Sequence, residues 1–306
     1  MRVFVTGASG HIGSAVVREL LSARHEVVGL ARSDASAATL KSAGAAVHRG
    51  SLDDLDSLRK ATAAAEGVIH LAFKHDVAFT GDYVGAAAAD LRAIEAMSAA
   101  LEGSGKPFVG TGGTLMLAQA VRGRAGTEND VLASGARIDA ENTVIALGKR
   151  GVRSSVIRLA PTVHSALDHQ GFVPSLIAMA RKNGFAAYVG EGTNRWPAVH
   201  TLDAARLYRL ALEAAPAGSR LHGTAEVGVP FRDIAEAIGR GLGLPSRSVS
   251  AEDASNHLGF LATFAQLDNP TSSELTRGLL NWRPTHPGLL ADLAERHYFE
   301  SAAQAP

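Results

Sequence analysis

Apolar positions in the first half of the chain follow two alternating rhythms. Short runs with little polar interruption, carrying Val3, Val5, Val27, Val28, Ile69 and Leu71, fall at residues 2–6, 26–31, 46–49, 68–72, 107–111 and 152–159. Between them, residues 11–24, 35–42, 55–65, 83–101 and 133–149 place apolar side chains at helical spacing. Near-continuous apolar runs suit strands buried on both faces, and helix-period segments between such strands make βαβ units. The expectation is an α/β fold, a doubly wound parallel sheet, over residues 1–160.

The rhythm changes after residue 159. Residues 161–174 read as a long loop carrying Thr162, His164, Asp168 and His169. A helix is expected over 174–183, a short strand at 187–189 and a loop at 190–195. Residues 196–200 lead into a helix over 203–214, which is expected to return to the first domain, with Thr201 or Asp203 as its N-cap. One strand is expected over 218–227. A helix over 231–241 ends at Gly241-Leu242-Gly243-Leu244-Pro245, a glycine cap followed by a proline stop. The remainder reads as helical with breaks. Residues 161–200 and 216–306 are therefore assigned to a smaller substrate lobe over the C-terminal ends of the strands, with 161–174 and 190–195 as candidate lids.

Composition narrows the function. A 306-residue chain that is 46% hydrophobic has material for a full core. Thirty basic residues balance thirty acidic ones, so nothing points to nucleic acid or an anionic membrane surface. The absence of cysteine excludes disulfides, thiolate nucleophiles, iron–sulfur clusters and cysteine-based zinc sites. No stretch has the length of a membrane span. The apolar start breaks at Gly7, so it reads as a strand rather than a signal peptide, and a cytoplasmic location is expected. Asp168-His169 and His200 with Asp203 match no helical ligand spacing, and no metal is expected. Lys74 and Arg195 are candidates for steering an anionic substrate, although a solvated face is the ordinary role of such residues. Trp196 and Phe172 are candidates for core or pocket lining.

The chemistry concentrates at Thr6-Gly7-Ala8-Ser9-Gly10-His11-Ile12-Gly13, directly after the first strand and opening a helix. Gly7 permits the sharp turn, Gly10 lets the backbone approach a pyrophosphate, and Gly13 lets the helix pack close to the sheet. The helix N-terminus then offers free N–H groups and partial positive charge to phosphates. The candidate cofactor-binding residues here are Gly7, Ser9, Gly10, His11, Ile12 and Gly13.

This GxxGxxG spacing resembles the short-chain dehydrogenase/reductase superfamily, in its extended, NAD-dependent epimerase/dehydratase-like branch. Later blocks resemble it in order along nearly the whole chain. Asp53 is similar to the family aspartate that meets the adenine. His70-Leu71-Ala72, followed by Phe73, resembles the segment ending the fourth strand beside the cofactor. Arg158-Leu159-Ala160-Pro161-Thr162-Val163 resembles an RPxxV element near the nicotinamide. Residues 196–206 resemble the branch's "fVHvdDlAra" block. The resemblance implies an NAD(P)-dependent oxidoreductase, a small-molecule substrate and a homodimer through helices such as 83–101 and 133–149.

An acid at the end of the second strand would favour NAD, but Arg32 stands there, followed by Ser33. A guanidinium pairs with a 2′-phosphate at a gain of about 1.5–3 kcal/mol. NADP is the preferred cofactor, with NAD as the alternative and Asp34 as the dissenting residue.

The superfamily's Tyr-x-x-x-Lys pair has no counterpart. Tyr83, Tyr188, Tyr208 and Tyr298 are followed four residues on by Ala87, Gly192, Leu212 and Ala302. Residues 133–141 resemble the helix that carries the pair, with Ala133 at the tyrosine and Arg137 at the lysine. Arg137 could hold ribose hydroxyls but stays charged and cannot shuttle a proton. The family serine falls on or beside Gly112, leaving Thr111 and Thr114 as hydroxyls. His75, Asp76 and His164 are candidate proton donors. The catalytic candidates are thus Thr111, Thr114, Arg137 and His75. Three readings remain: a reductase with a substitute proton donor; a dinucleotide sensor without turnover, similar to NmrA-like regulators; and an epimerase or dehydratase working by transient hydride transfer.

Overall fold

A computed structural model describes residues 1–300. Residues 301–306, assigned above to the smaller lobe, lie outside the described residues. The chain runs β1 (Arg2–Thr6), α1 (His11–Ser22), β2 (Glu26–Ala31), α2 (Asp34–Ser42), β3 (Ala46–Arg49), α3 (Leu55–Ala63), β4 (Gly67–His70), α4 (His75–Phe79), α5 (Tyr83–Ala99), β5 (Pro107–Gly113), α6 (Ile138–Ala146) and β6 (Arg153–Leu159). It continues through β7 (Thr162–His164), α7 (Phe172–Asn183), β8 (Ala186–Val189), β9 (Arg195–His200), α8 (Thr201–Ala214), β10 (Ser219–Gly223), β11 (Glu226–Pro230), α9 (Phe231–Leu242), β12 (Ser246–Val249), α10 (Ala254–Leu258), α11 (Glu274–Leu280) and α12 (Leu289–Asp292).

The central sheet has seven parallel strands in the order β10-β6-β5-β4-β1-β2-β3. Successive side chains on a strand face opposite ways, and here both faces are buried. Val3, Val5, Ile69, Val109 and Ile157 pack with α1, α2 and α8 on one side. Phe4, Val68, Phe108 and Val156 pack with α3, α5 and α6 on the other. The result is a three-layer, Rossmann-like α/β fold. The order reverses between β1 and β4, where such sheets open a crevice at the strands' carboxyl ends.

Helix α8 packs along α1, and Trp282 returns to the same core, its indole N–H donating to the Asp203 carbonyl at 3.0 Å. A second core gathers α7, β8, α9 and α10 around Trp196, which lies 4.8 Å from Phe231 and 5.7 Å from Phe172, ring centre to ring centre. Trp196 and Phe172 are core residues of this lobe.

The second half departs from the sequence expectations. Residues 161–174 are not all loop, since β7 forms there. Residues 195–200 form β9, the middle strand of a sheet ordered β11-β9-β7. The single strand expected at 218–227 is two strands in different sheets: β10 pairs with β6 at the edge of the main sheet, although 216–306 was assigned to the smaller lobe, and β11 pairs with β9. β12, unforeseen, pairs with β8. The helix expected over 133–149 is regular only from Ile138 to Ala146.

The N-cap of α8 is His200, whose Nδ1 accepts from the Leu202 N–H at 3.2 Å, and not Thr201 or Asp203. Asp203 is fully buried and accepts from the backbone N–H groups of Thr285 and His286, both at 3.0 Å. It ties the chain after Trp282 to α8. Asp203→Ala leaves both donors without their acceptor, and a loss of about 2–3 kcal/mol is expected in a denaturant titration. A change within a few tenths of a kcal/mol would contradict this tether.

Candidate functional site

The turn after β1 has the geometry its glycines require. Gly7 has φ +67°, and a Cβ there would lie 2.8 Å from the Ala72 nitrogen. The Gly10 N–H donates to the Gly7 carbonyl at 3.0 Å. A Cβ on Gly13 would stand 2.0 Å from that same carbonyl oxygen, so the start of α1 lies directly on the turn. Gly10 caps α1 with no side-chain hydrogen bond, which leaves the first-turn N–H groups and the positive end of the dipole to the crevice. Ser9, His11 and Ile12 are partly exposed in this turn.

Leu71, Ala72 and Phe73 follow β4 beside it and are also partly exposed. The Ala72 N–H donates to Thr6 Oγ1 at 3.2 Å, which joins the two segments. Pro161 is partly exposed after β6, while Val163 is buried against the main core.

At the rim of β2, Arg32 pairs with Asp76 at 3.2 Å, both exposed. Ser33 caps α2 by accepting from the Ser36 N–H at 3.1 Å. Sequence reasoning passed over Arg49, at the end of β3. Its guanidinium donates to the Ser33 carbonyl and pairs with Asp34, so the dissenting carboxylate is already matched by a cation. Asp53 is held by Lys74, whose ammonium reaches both carboxylate oxygens at 2.7 Å. Arg195 pairs with Asp268 at 2.8 Å.

The catalytic candidates lie apart from one another in chemical role. Thr111 turns its hydroxyl inward, within 2.7 Å of the His70 carbonyl and 2.8 Å of the Tyr208 hydroxyl. Burial raises the Tyr208 phenol above its ordinary pKa. Thr114 is fully buried and accepts from Asn269 at 3.0 Å. Arg137 sits just outside α6, donates to the Thr111 carbonyl at 2.7 Å and stacks 4.2 Å over the Phe73 ring. Around the same ring stand His75 at 5.1 Å and Tyr83 at 6.1 Å. Desolvation, then Arg137, lowers the His75 pKa and favours its neutral imidazole, although the residue is exposed at the surface. Ala133, at the position resembling the tyrosine, lies in an irregular stretch ahead of α6. Arg158, in the element resembling RPxxV, is enclosed with Glu141 (2.6 and 2.8 Å) and does not face the crevice.

A second polar group was not foreseen. His11 Nε2 lies 2.7 Å from Thr201 Oγ1, and its Nδ1 lies 3.6 Å from Asp168. Nearby, His164 Nδ1 meets Asp292 at 2.8 Å. His200 stacks on His286 at 4.7 Å. The partial signal was Asp168 and His200, weighed above only as metal ligands. Among the described residues no cluster of His, Cys, Asp or Glu could hold a metal ion.

Residues 3–128 match the NAD dependent epimerase/dehydratase family. An uncharacterized protein of Schizosaccharomyces pombe is 48% identical over 98% of this chain and 100% of its own length. The chain belongs to the NAD dependent epimerase/dehydratase family. The 2′-dehydrokanamycin reductase of Streptomyces kanamyceticus is 29% identical over 82% of the chain and 69% of its own length. The dTDP-glucose 4,6-dehydratase DesIV of Streptomyces venezuelae, solved with NAD bound, superposes with a TM-score of 0.77 at 19% identity, covering 97% of this chain and 96% of its own. At that identity the likeness is one of fold. No helix among the described residues is long and apolar enough to cross a membrane.

Proposed function

We propose that this family member is an NADP(H)-linked oxidoreductase acting on a small carbonyl or hydroxyl compound. The observation that carries the reading is the uncapped first turn of α1 behind Gly7, Gly10 and Gly13, with N–H groups and dipole suited to a pyrophosphate. Leu71, Ala72, Phe73 and Pro161 would line the remaining cofactor surface, with Val163 behind it, and Asp53 would meet the adenine. Residues 1–160 with α8 would hold the dinucleotide; the rest of the chain, apart from β10, would shape the substrate pocket. Bound NADPH would supply the hydride. Arg137 would hold the ribose hydroxyls as a fixed cation. In the oxidation direction, with NADP+ taking the hydride from the alcohol carbon, neutral His75 would accept the hydroxyl proton, and in reduction the His75 imidazolium would return it to the carbonyl oxygen. The similarity to a named reductase favours this chemistry over that of an epimerase. A cytoplasmic homodimer through the outer face of α5, where Val84 stands exposed, fits the reading.

NADP is favoured over NAD because Arg32 directly follows β2 and Arg49 neutralises Asp34 beside it. The test is a fluorescence titration with NADPH and NADH. Arg32→Ala is expected to weaken NADPH roughly tenfold or more and leave NADH unchanged, as expected for loss of a charge-assisted bond. An unchanged preference would remove the NADP assignment.

One set of observations favours a second reading, a dinucleotide sensor without turnover. Thr111 and Thr114 spend their hydroxyls inside the protein, and Ala133 lies off the helix. Multiple-turnover consumption of NADPH with a panel of aldehydes and ketones supports the oxidoreductase. Tight NADPH binding with no consumption supports the sensor.

A further inference from the structure

His11 is both the first residue of α1 and a member of the phosphate-binding turn, and the group facing its ring is a carboxylate. Asp168 comes from the loop after β7 and is 3% exposed. Its Oδ1 accepts from the Gly171 N–H at 2.8 Å and lies 3.6 Å from His11 Nδ1. No hydrogen bond of normal geometry reaches its buried Oδ2, although the Gln170 N–H joins that of Gly171 in favouring the charged carboxylate. A buried carboxylate oxygen without a hydrogen bond of normal geometry is costly, and here it lies beside the turn shaped for an anion.

The groups around the pair come from every element packed against it. His164 on β7 and His200 at the start of α8 act on His11, as does His169 from the Asp168 loop. His164 and Asp292 on α12 act on Asp168. Tyr298 stands close enough for Asp168 to raise its phenol, and its hydroxyl accepts from the Ser165 N–H at 3.0 Å. Ser165 and Thr201 join at 2.8 Å, and Thr201 holds the other side of His11.

We propose that Asp168 and His11 form a proton-accepting pair that takes up a proton when the pyrophosphate of a dinucleotide seats on the turn. The inference rests on the dinucleotide-binding reading above. In the free protein burial pushes Asp168 up to about 6, and burial followed by the neighbouring histidines lowers His11 to about 4. At pH 7 the pair therefore carries a net negative charge beside the phosphate site. An arriving anion raises the proton affinity of both groups. The complex then binds more protons than the free protein, so affinity is highest at low pH and declines as pH rises from the free pair's titration to the bound pair's. The proton belongs to the pair rather than to one member of it.

The experiment is calorimetry of NADP+ and NAD+ binding at pH 7 in buffers of differing ionisation enthalpy, on wild type and Asp168→Asn. The 2′-phosphate of NADP+ itself titrates near pH 6, so NAD+ and the difference between proteins isolate the pair. Wild type is expected to take up about half a proton or more per NAD+, and to bind it roughly tenfold more weakly at pH 8 than at pH 6. Asp168→Asn is expected to take up none and to bind more tightly than wild type at pH 8. Binding of NAD+ to wild type with no proton uptake overturns the inference and leaves the dinucleotide reading intact, whether or not the variant folds. Uptake that persists unchanged in a folded Asp168→Asn also overturns it. Failure of wild type to bind either dinucleotide overturns both.

Discussion

Gly13→Ala is expected to abolish the dinucleotide binding proposed above and to lower stability by about 2–3 kcal/mol, in the range of overpacked sites. The sign opposes propensity. Inside a helix, alanine is ordinarily better than glycine by about 1 kcal/mol. Here the added carbon would lie 2.0 Å from the Gly7 carbonyl oxygen, 2.8 Å from its carbon and 2.9 Å from the Ala8 Cα. All three are backbone atoms, so no side chain can swing aside. Either α1 lifts from the sheet, losing the packing of Val16, Val17 and Leu20, or the turn opens and its N–H groups no longer converge. Gly10→Ala separates the two effects. Its carbon would meet only the Gly7 oxygen, at 3.3 Å, so the fold survives, while the close approach of a phosphate is blocked. Thermal unfolding and NADPH fluorescence measure both. A Gly13→Ala protein with wild-type melting temperature and affinity would remove the packing argument and the binding argument together.

That turn was legible because its sequence signal is local, even though Ala72 packs against it from the segment after β4. A run of Val and Phe, then glycines at three-residue spacing, needs no distant partner to be read. The strand expected at 187–189 is β8, but β7, β9 and β12 were illegible for the opposite reason. β9 carries Pro197, which lacks the N–H that a middle strand donates, so the pattern argued for a lead-in rather than a strand. The fold accommodates it. The β11 register shifts between Glu226 and Val229, opposite Trp196-Pro197-Ala198, so two residues bulge where the proline stands. The stretch ahead of α6 was misread because distant side chains hold it. Asn142 donates to the carbonyls of Leu132 and Ala133 at 3.0 and 3.2 Å, and Arg158 holds the Asp130 carbonyl at 2.9 Å. A helix-compatible sequence is thereby kept irregular. The His11–Asp168 pair, 157 positions apart, shows the same limit for the site. Each residue was visible, and their juxtaposition was not.

Arg158 makes the sharpest case, since its sequence context suggested cofactor contact and its surroundings are those of a buried ion pair. Its Nε and Nη2 donate to both Glu141 oxygens at 2.8 and 2.6 Å, and Arg220 adds a third bond at 2.8 Å. His222 Nε2 lies 3.3 Å from Nη1, while its Nδ1 lies 2.7 Å from the Ser272 carbonyl. The cluster joins α6, β6 and β10. Burial would raise the Glu141 pKa, but the two guanidiniums outweigh it and hold the carboxyl below its ordinary range. Arg158→Met strands most of that charge, and a loss of about 3–5 kcal/mol is expected by chemical denaturation at pH 7. Adding Glu141→Leu removes the stranded carboxylate, so the double variant should recover much of the loss, and a double-mutant cycle reads the coupling. The pH dependence fixes the cause. A lowered native pKa means the stabilisation is present above the unfolded pKa and lost as pH falls through the native one. The gap between wild type and Arg158→Met should therefore narrow as pH falls through the titration of Glu141, first in the variant, which has lost one guanidinium, and then through the lowered native value in wild type. A gap independent of pH would mean that Arg158 stabilises by packing its aliphatic stem rather than by charge.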